Sequence, residues 1–299
     1  MPHPTNTSPA DIDEAVIAAL AAHPDIALLC GEVRQAEPQA GLTNRVFRLR
    51  ADKGDFFLRL PRVETAGSIN RKGEAENLVI AAGLGLALPA LFIDCDAGVL
   101  LTAAVSDLEK PEDLPARLGL ALGALHGSGE VFHGRLDPHE TYLAQRRQLR
   151  NFQDLPDELR TLEALMERFA KEEAVGGEGP VLVPSHGDMS PGNCLVTPDR
   201  LWLIDWEYSG MSDPAWDLAY TILEHGFDQA QEVQFLAAYR SVAEDPVPAN
   251  ARLARMKSRC DAISALWALE QVASGRDRIR FLGFAKVRLK RVFDRKTSS

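Results

Sequence analysis

Apolar and polar positions alternate along the first third of the chain and give way to helical spacing after it. Residues 11–29 predict one short amphipathic helix, with Ser8 or Asp11 as its cap. Residues 32–36 read as a strand and Ala40-Gly41-Leu42-Thr43-Asn44 as a turn. Residues 46–50 alternate, Asp52-Lys53-Gly54 signals a hairpin, and residues 56–60 form its second arm. Residues 69–82 carry helical spacing, with Leu78, Val79 and Ala82 to one side, and two short strands follow at 91–93 and 99–102. Three strands, a helix and two strands make an α+β unit of about one hundred residues, an ordinary domain size.

The pattern then turns mostly helical. Leucines at 114, 118, 122 and 125 mark one helical face, and 142–169 is a charged helix broken near Pro156. Residues 176–180 form a loop, and apolar runs follow at 181–184, 194–196 and 201–204, the last two joined by a turn at 197–200. Residues 215–240 and 252–293 read as helices. The expected division is a β-rich part over 1–104 and a larger, mainly helical part over 105–299.

Composition narrows the class. A chain of 299 residues with 45% hydrophobic and 25% charged positions can bury a core without staples, which excludes fibrous, disordered and disulfide-scaffold readings. The net charge of -10 argues against a nucleic-acid partner. It is unevenly spread: from Arg252 onward there are 13 basic and 4 acidic residues. That stretch keeps Leu282, Ala285, Leu289, Val292 and Phe293 at helical spacing, so it reads as a docked helix with a basic outer face. Four scattered cysteines and an acidic flank before the apolar stretch 15–22 predict a cytoplasmic protein without a signal peptide or membrane span. His126, His133 and His139 lack zinc spacing and read as helix-end or loop residues. There is no GxxxxGK[ST] run and no GxSxG elbow.

The candidate chemistry lies in Ser185-His186-Gly187-Asp188-Met189-Ser190-Pro191-Gly192-Asn193 and in Leu203-Ile204-Asp205-Trp206-Glu207-Tyr208. A hairpin turning at Pro198-Asp199 brings Asn193 and Asp205 toward each other. Two oxygen ligands suit Mg²⁺, which takes one or two from a protein and completes its shell with phosphate and water. Asp188, five residues before Asn193, is then placed to orient a hydroxyl and accept its proton. An Asp, an Asn five residues on and a second Asp on the next hairpin arm is the division of labour used for phosphoryl transfer.

His186-Gly187-Asp188, Asn193 and Ile204-Asp205-Trp206-Glu207 resemble the aminoglycoside phosphotransferase and choline kinase superfamily. Glu207-Tyr208-Ser209-Gly210 and Trp216-Asp217-Leu218-Ala219 are similar to the choline/ethanolamine kinase branch, including its bacterial members. The resemblance implies a two-lobed protein-kinase-like α+β fold and an ATP- and Mg²⁺-dependent kinase acting on a small-molecule alcohol. It makes Asp188 the catalytic base and Asn193 and Asp205 the metal ligands. Gly41, Thr43 and Asn44 fall at the phosphate-covering turn, which lacks a full GxGxxG. Arg59 falls at the phosphate-binding position of the strand, with Glu74 as its partner in preference to Glu76.

For the acceptor, the resemblance nominates Glu207, Tyr208, Glu224, Trp267 and Phe284. Aromatic faces backed by carboxylates recognise a quaternary ammonium. Spacing alone reads Trp267 and Phe284 as packing between two late helices. Ser264 stands where the family carries a second cage tryptophan, so choline, ethanolamine, thiamine and, less readily, an aminoglycoside stay open as acceptors. The oligomeric state is open too.

Overall fold

The computed structural model describes residues 12–39, 44–62, 69–152, 158–175, 181–243, 248 and 250–297. The chain falls into two units, Met1–Lys110 with Leu195–Glu207, and Pro111–Cys194 with Tyr208–Ser299.

Two helices, α1 (Glu14–Ala22) and α2 (Pro24–Cys30), stand where the sequence predicts one. A residue before proline is pushed out of the helical region, and His23, ahead of Pro24, sits at φ −127°, ψ 79°. Asp13 caps α1 by accepting the Ala15 N–H at 2.8 Å. Ser8 and Asp11, the expected caps, lie outside the described residues. β1 (Val33–Gln39), β2 (Asn44–Ala51) and β3 (Gly54–Pro61) follow, then α3 (Arg71–Gly83), β4 (Ala90–Asp94) and β5 (Val99–Ala103). The strands form one antiparallel sheet in the order β1-β2-β3-β5-β4. Side chains alternate across a strand. The register, which sets Phe47 opposite Leu58 and Leu49 opposite Phe56, therefore gathers these four on one face. They pack with Val16, Ile26 and Leu101 into the core.

The second unit begins with α4 (Leu114–His126), α5 (Pro138–Gln148), α6 (Glu158–Val175) and β6 (Val183–Ser185). The expected break near Pro156 and the loop 176–180 lie outside the described residues. A 3-10 turn at Pro191–Asn193 leads into β7 (Cys194–Val196), which pairs with β8 (Leu201–Leu203). The Thr197 N–H closes the turn on the Arg200 carbonyl at 2.8 Å. This hairpin belongs to the first unit, where the Leu203 N–H donates to the Leu86 carbonyl at 2.7 Å and the Glu109 N–H to that of Val196 at 2.8 Å. The chain re-enters the second unit at Tyr208, and β9 (Gly210–Ser212) pairs antiparallel with β6.

Four helices complete that unit: α7 (Pro214–Glu224), α8 (Gln229–Arg240), α9 (Asn250–Ala273) and α10 (Arg278–Thr297). Each of the two long helices read from the sequence is thus divided. A glycine in the left-handed region ends a helix readily, and Gly226 (φ 64°) and Gly275 (φ 79°) do so here. Asp228 and Gln231 then open α8 with a reciprocal capping box. No helix among the described residues is long and apolar enough to cross a membrane.

α4 packs closely on α8. A Cβ added at Gly119 would fall inside the shell of the Phe235 carbonyl oxygen and 2.9 Å from the Ala238 Cβ. Backbone cannot yield as a flexible side chain can. Gly119→Ala is therefore expected to destabilise the protein by about 1–3 kcal/mol. The denaturant midpoint of the variant measures this, and an unchanged midpoint would remove the close approach as a constraint.

Candidate active site

In the first unit, polar residues gather under the sheet. Arg59 on β3 and Glu74 on α3 are both buried and form a two-pronged ion pair, with Nη2 to Oε2 at 3.0 Å and Nη1 to Oε1. Glu76 is exposed. Burial alone would lower the Arg59 pKa, but the charge of Glu74, its hydrogen bond, and the charges of Asp205 and Glu207 raise it. Arg71, which the sequence reading did not single out, joins from the first turn of α3. It donates to Glu74 at 2.9 Å and to the Asn44 Oδ1 at 2.7 Å, and lies 3.5 Å from Glu207. Asn44 donates in turn to Glu207 at 2.8 Å. The Glu207 carboxylate, nominated for the acceptor, is thus committed to Asn44 and Arg71.

Asp205 follows β8 at φ 65°, a region sparsely used by residues other than glycine. The Trp206 indole N–H ties this turn to the Leu203 carbonyl at 3.0 Å. The Asp205 Oδ1 lies 3.6 Å from the Arg59 Nη1. Gly41 and Thr43 lie outside the described residues.

In the second unit, β6 ends at Ser185 and delivers His186, Gly187 and Asp188. Gly187 has φ 87°, and a Cβ there would crowd the Tyr208 carbonyl, 2.9 Å from its carbon. Asp217 clamps the loop from the start of α7. Its two carboxylate oxygens accept the N–H of His186 at 2.7 Å and of Gly187 at 2.9 Å. The Trp216 indole N–H donates to the Gly187 carbonyl at 3.0 Å. His126, at the end of α4, lies 3.3 Å from Asp217 and 3.0 Å from the Tyr239 hydroxyl. Burial works to raise the Asp217 pKa, but hydrogen bonding and charge from His126, then His186 and the Gly187 N–H, hold it below its ordinary value. Held in this way, Asp188 meets Asn193, whose amide nitrogen donates to the Asp188 Oδ2 at 2.9 Å and to its carbonyl at 3.0 Å.

α7 carries Asp217, Tyr220 and Glu224 at helical spacing. Tyr220 stacks beside Trp216 with ring centroids 5.8 Å apart. Burial, followed by the charges of Asp188 and Glu224, drives its pKa well up. Glu224 ends the helix in an ion pair with Arg288 at 2.6 Å. Burial still raises the Glu224 pKa despite that pair. Trp267 on α9 lies edge-on to Phe281 and Phe284 on α10, at 5.6 and 6.3 Å between centroids. Tyr208 is 44% exposed. Tyr220 and Arg288 were absent from the residues picked out by sequence, and Asp217 stood there only within the Trp216-Asp217-Leu218-Ala219 motif, with no role given to it. The spacing of 217, 220 and 224 on one helix face is the signal that could have found Tyr220.

Residues 34–254 match the model of the phosphotransferase enzyme family. The chain belongs to that family. The chain is 30% identical over 206 residues to Protein LicA from Haemophilus influenzae, an alignment covering 66% of the chain and 59% of that protein. It thus spans less than two thirds of that relative, and 75% of a second Haemophilus influenzae LicA, also 30% identical over 65% of the chain. The structure of a choline/ethanolamine kinase family protein from Mesorhizobium loti superposes with a TM-score of 0.76 at 31% identity, over 94% of both chains. The chain is therefore a member of the choline/ethanolamine kinase family. The choline kinase LicA from Streptococcus pneumoniae shares the fold, with a TM-score of 0.80 at 24% identity over 95% of this chain and 100% of that one. The fold is the kinase-like α+β one expected from the sequence, with a β-rich unit and a helical unit.

Proposed function

We propose that the phosphotransferase moves the γ-phosphoryl group of ATP, in the presence of Mg²⁺, to the hydroxyl of choline or a close amino alcohol. The observation that carries this reading is the Asp188 carboxylate, hydrogen-bonded to Asn193 in a loop clamped by Asp217. A base must be pre-positioned to align a hydroxyl and receive its proton as the oxygen attacks phosphorus and ADP departs.

The donor set suits Mg²⁺. Asn193 uses its amide nitrogen on Asp188, so Oδ1 is the atom with which it would hold the ion, as Asp205 would with its carboxylate. Among the described residues no group of three or more His, Cys, Asp or Glu forms a protein-only metal cage. Mg²⁺ needs none when phosphate and water fill its shell. When bound, it neutralises phosphate charge. Arg59, oriented by Glu74, offers the phosphates a planar guanidinium. Trp267 and Glu224 are assigned to the acceptor's ammonium end. A second reading, with ethanolamine, thiamine or an aminoglycoside as acceptor, rests on Ser264, which stands where the family carries a second cage tryptophan.

A coupled ADP-release assay over choline, ethanolamine, thiamine and aminoglycosides tests the proposal. The expected result is Mg²⁺-dependent release with an amino alcohol, well above the blank without acceptor. Release that no acceptor raises above the blank would overturn it.

A further inference from the structure

Two places in the first unit carry groups assigned to the nucleotide: β3 with Arg59, and the turn after β8 with Asp205. A second buried arginine, in the first turn of α3, touches a neighbour of each. Arg71 is 9% exposed. Its Nη1 donates to the Glu74 Oε2 at 2.9 Å and lies 3.5 Å from the Glu207 Oε2, while its Nη2 donates to the Asn44 Oδ1 at 2.7 Å. The Asn44 Nδ2 closes a triangle by donating to that same Glu207 oxygen at 2.8 Å.

A side-chain amide has a donor end and an acceptor end. By donating to Oδ1, Arg71 settles which end of Asn44 faces Glu207. The Glu207 carboxylate is buried, where a charge is costly unless it is paired, and Arg71 brings a guanidinium to it. Glu207 lies two residues beyond Asp205, and on the near side the Trp206 indole N–H is fastened to the Leu203 carbonyl at 3.0 Å. Asp205 sits between these anchors at φ 65°. A residue in so sparsely used a conformation stays there only when its surroundings hold it. Glu74 depends less on Arg71, because Arg59 already donates to both its oxygens.

We infer that Arg71 is a positioning residue for the metal-bound nucleotide, which anchors Glu207 both directly and through Asn44 and so fixes where the Asp205 carboxylate points. The inference deepens the proposed function and rests on its assignment of Asp205 to Mg²⁺. Loss of Arg71 disturbs the side chain that would hold the ion and leaves the Arg59–Glu74 pair able to meet phosphate by itself.

The test is a calorimetric titration of the full chain with ADP, in the presence and in the absence of Mg²⁺. Arg71→Met keeps the apolar stem and removes the charge. It is expected to weaken ADP about tenfold with Mg²⁺ present, the usual worth of a hydrogen bond to a charged group, and no more than about twofold without it. Should Arg71→Met fail to melt cooperatively, Arg71→Lys serves in its place. Its compact ammonium keeps the charge but lacks the fork that reaches Glu74 and Asn44 together, so a weakening of about threefold, again confined to Mg²⁺, is expected. A folded variant that binds ADP with Mg²⁺ as tightly as the native protein overturns the inference. Equal weakening with and without Mg²⁺ overturns it too, because a general loosening of the unit would produce that result. A native protein whose affinity for ADP is indifferent to Mg²⁺ would instead overturn the proposed use of the ion, and the inference with it.

Discussion

Asp188→Ala is expected to fold as the native protein does and to lose about 10²- to 10⁴-fold in kcat, the usual worth of a positioned general base. The loop does not depend on this carboxylate for its shape. Asp217 receives the N–H groups of His186 and Gly187, Trp216 holds the Gly187 carbonyl, and the Asp188 N–H itself lies 3.3 Å from the His186 Nδ1. What is removed is an acceptor for one Asn193 hydrogen bond, and Asn193 keeps the Asp188 carbonyl at 3.0 Å. The loss should therefore appear in kcat, with KM for ATP changed by no more than about threefold. Asp188→Asn sharpens the measurement, because it keeps the volume and the polar contact but cannot take a proton. Turnover near the native rate in either variant would remove Asp188 as the base.

The second large effect is expected at Asp217. An asparagine there has one oxygen and one NH₂, so it can satisfy only one of the two backbone N–H groups and must turn a donor toward the other. Hydrogen bonds to a charged group are worth about 1.5–3 kcal/mol, and an orphaned buried donor adds its own desolvation cost. Asp217→Asn should thus lower stability by roughly 2–5 kcal/mol and carry kcat down with it, since Gly187 and Asp188 move together. Asp217 acts here as a positioning residue. Its contribution has a pH signature. The folded-state pKa lies below the ordinary 3.8, so the stabilisation is fully present above that value and is lost as pH falls through the folded-state value. The stability gap between native protein and variant should accordingly be flat near neutrality and narrow only below about pH 4. A gap that is absent at pH 7 would rule out the clamp.

Local chemistry was the legible part of this sequence. Asp52-Lys53-Gly54 announced the β2–β3 hairpin, whose alternation fixed which side chains enter the core, and four leucines marked α4 to its ends. Asp188 and Asn193 are five residues apart, and the structure joins them by a direct hydrogen bond. Helix ends were less legible, because α1, α7 and α9 are each stopped by a neighbouring proline or left-handed glycine inside a continuing periodic pattern. Least legible were pairings of long reach. Asp217 meets Gly187 across thirty residues of chain, Arg71 meets Asn44 through the packing of α3, and Arg288 covers Phe284 while facing Glu224 on another helix. Nothing in spacing forecasts that a nominated binding carboxylate will be neutralised from within.

The excursion of residues 195–207 into the first unit bears on how this protein can be cut. A fragment of residues 111–299 would carry the β7–β8 hairpin but leave behind the Leu86, Ala87 and Glu109 backbone to which it bonds. Leu203, wholly buried in the intact chain, would be stripped of that partner and offered as a sticky edge. Halves meant for reassembly, or for grafting one helical unit onto another relative's sheet, must therefore be separated by rerouting the chain at Cys194 and Tyr208, and not by a single break near residue 110.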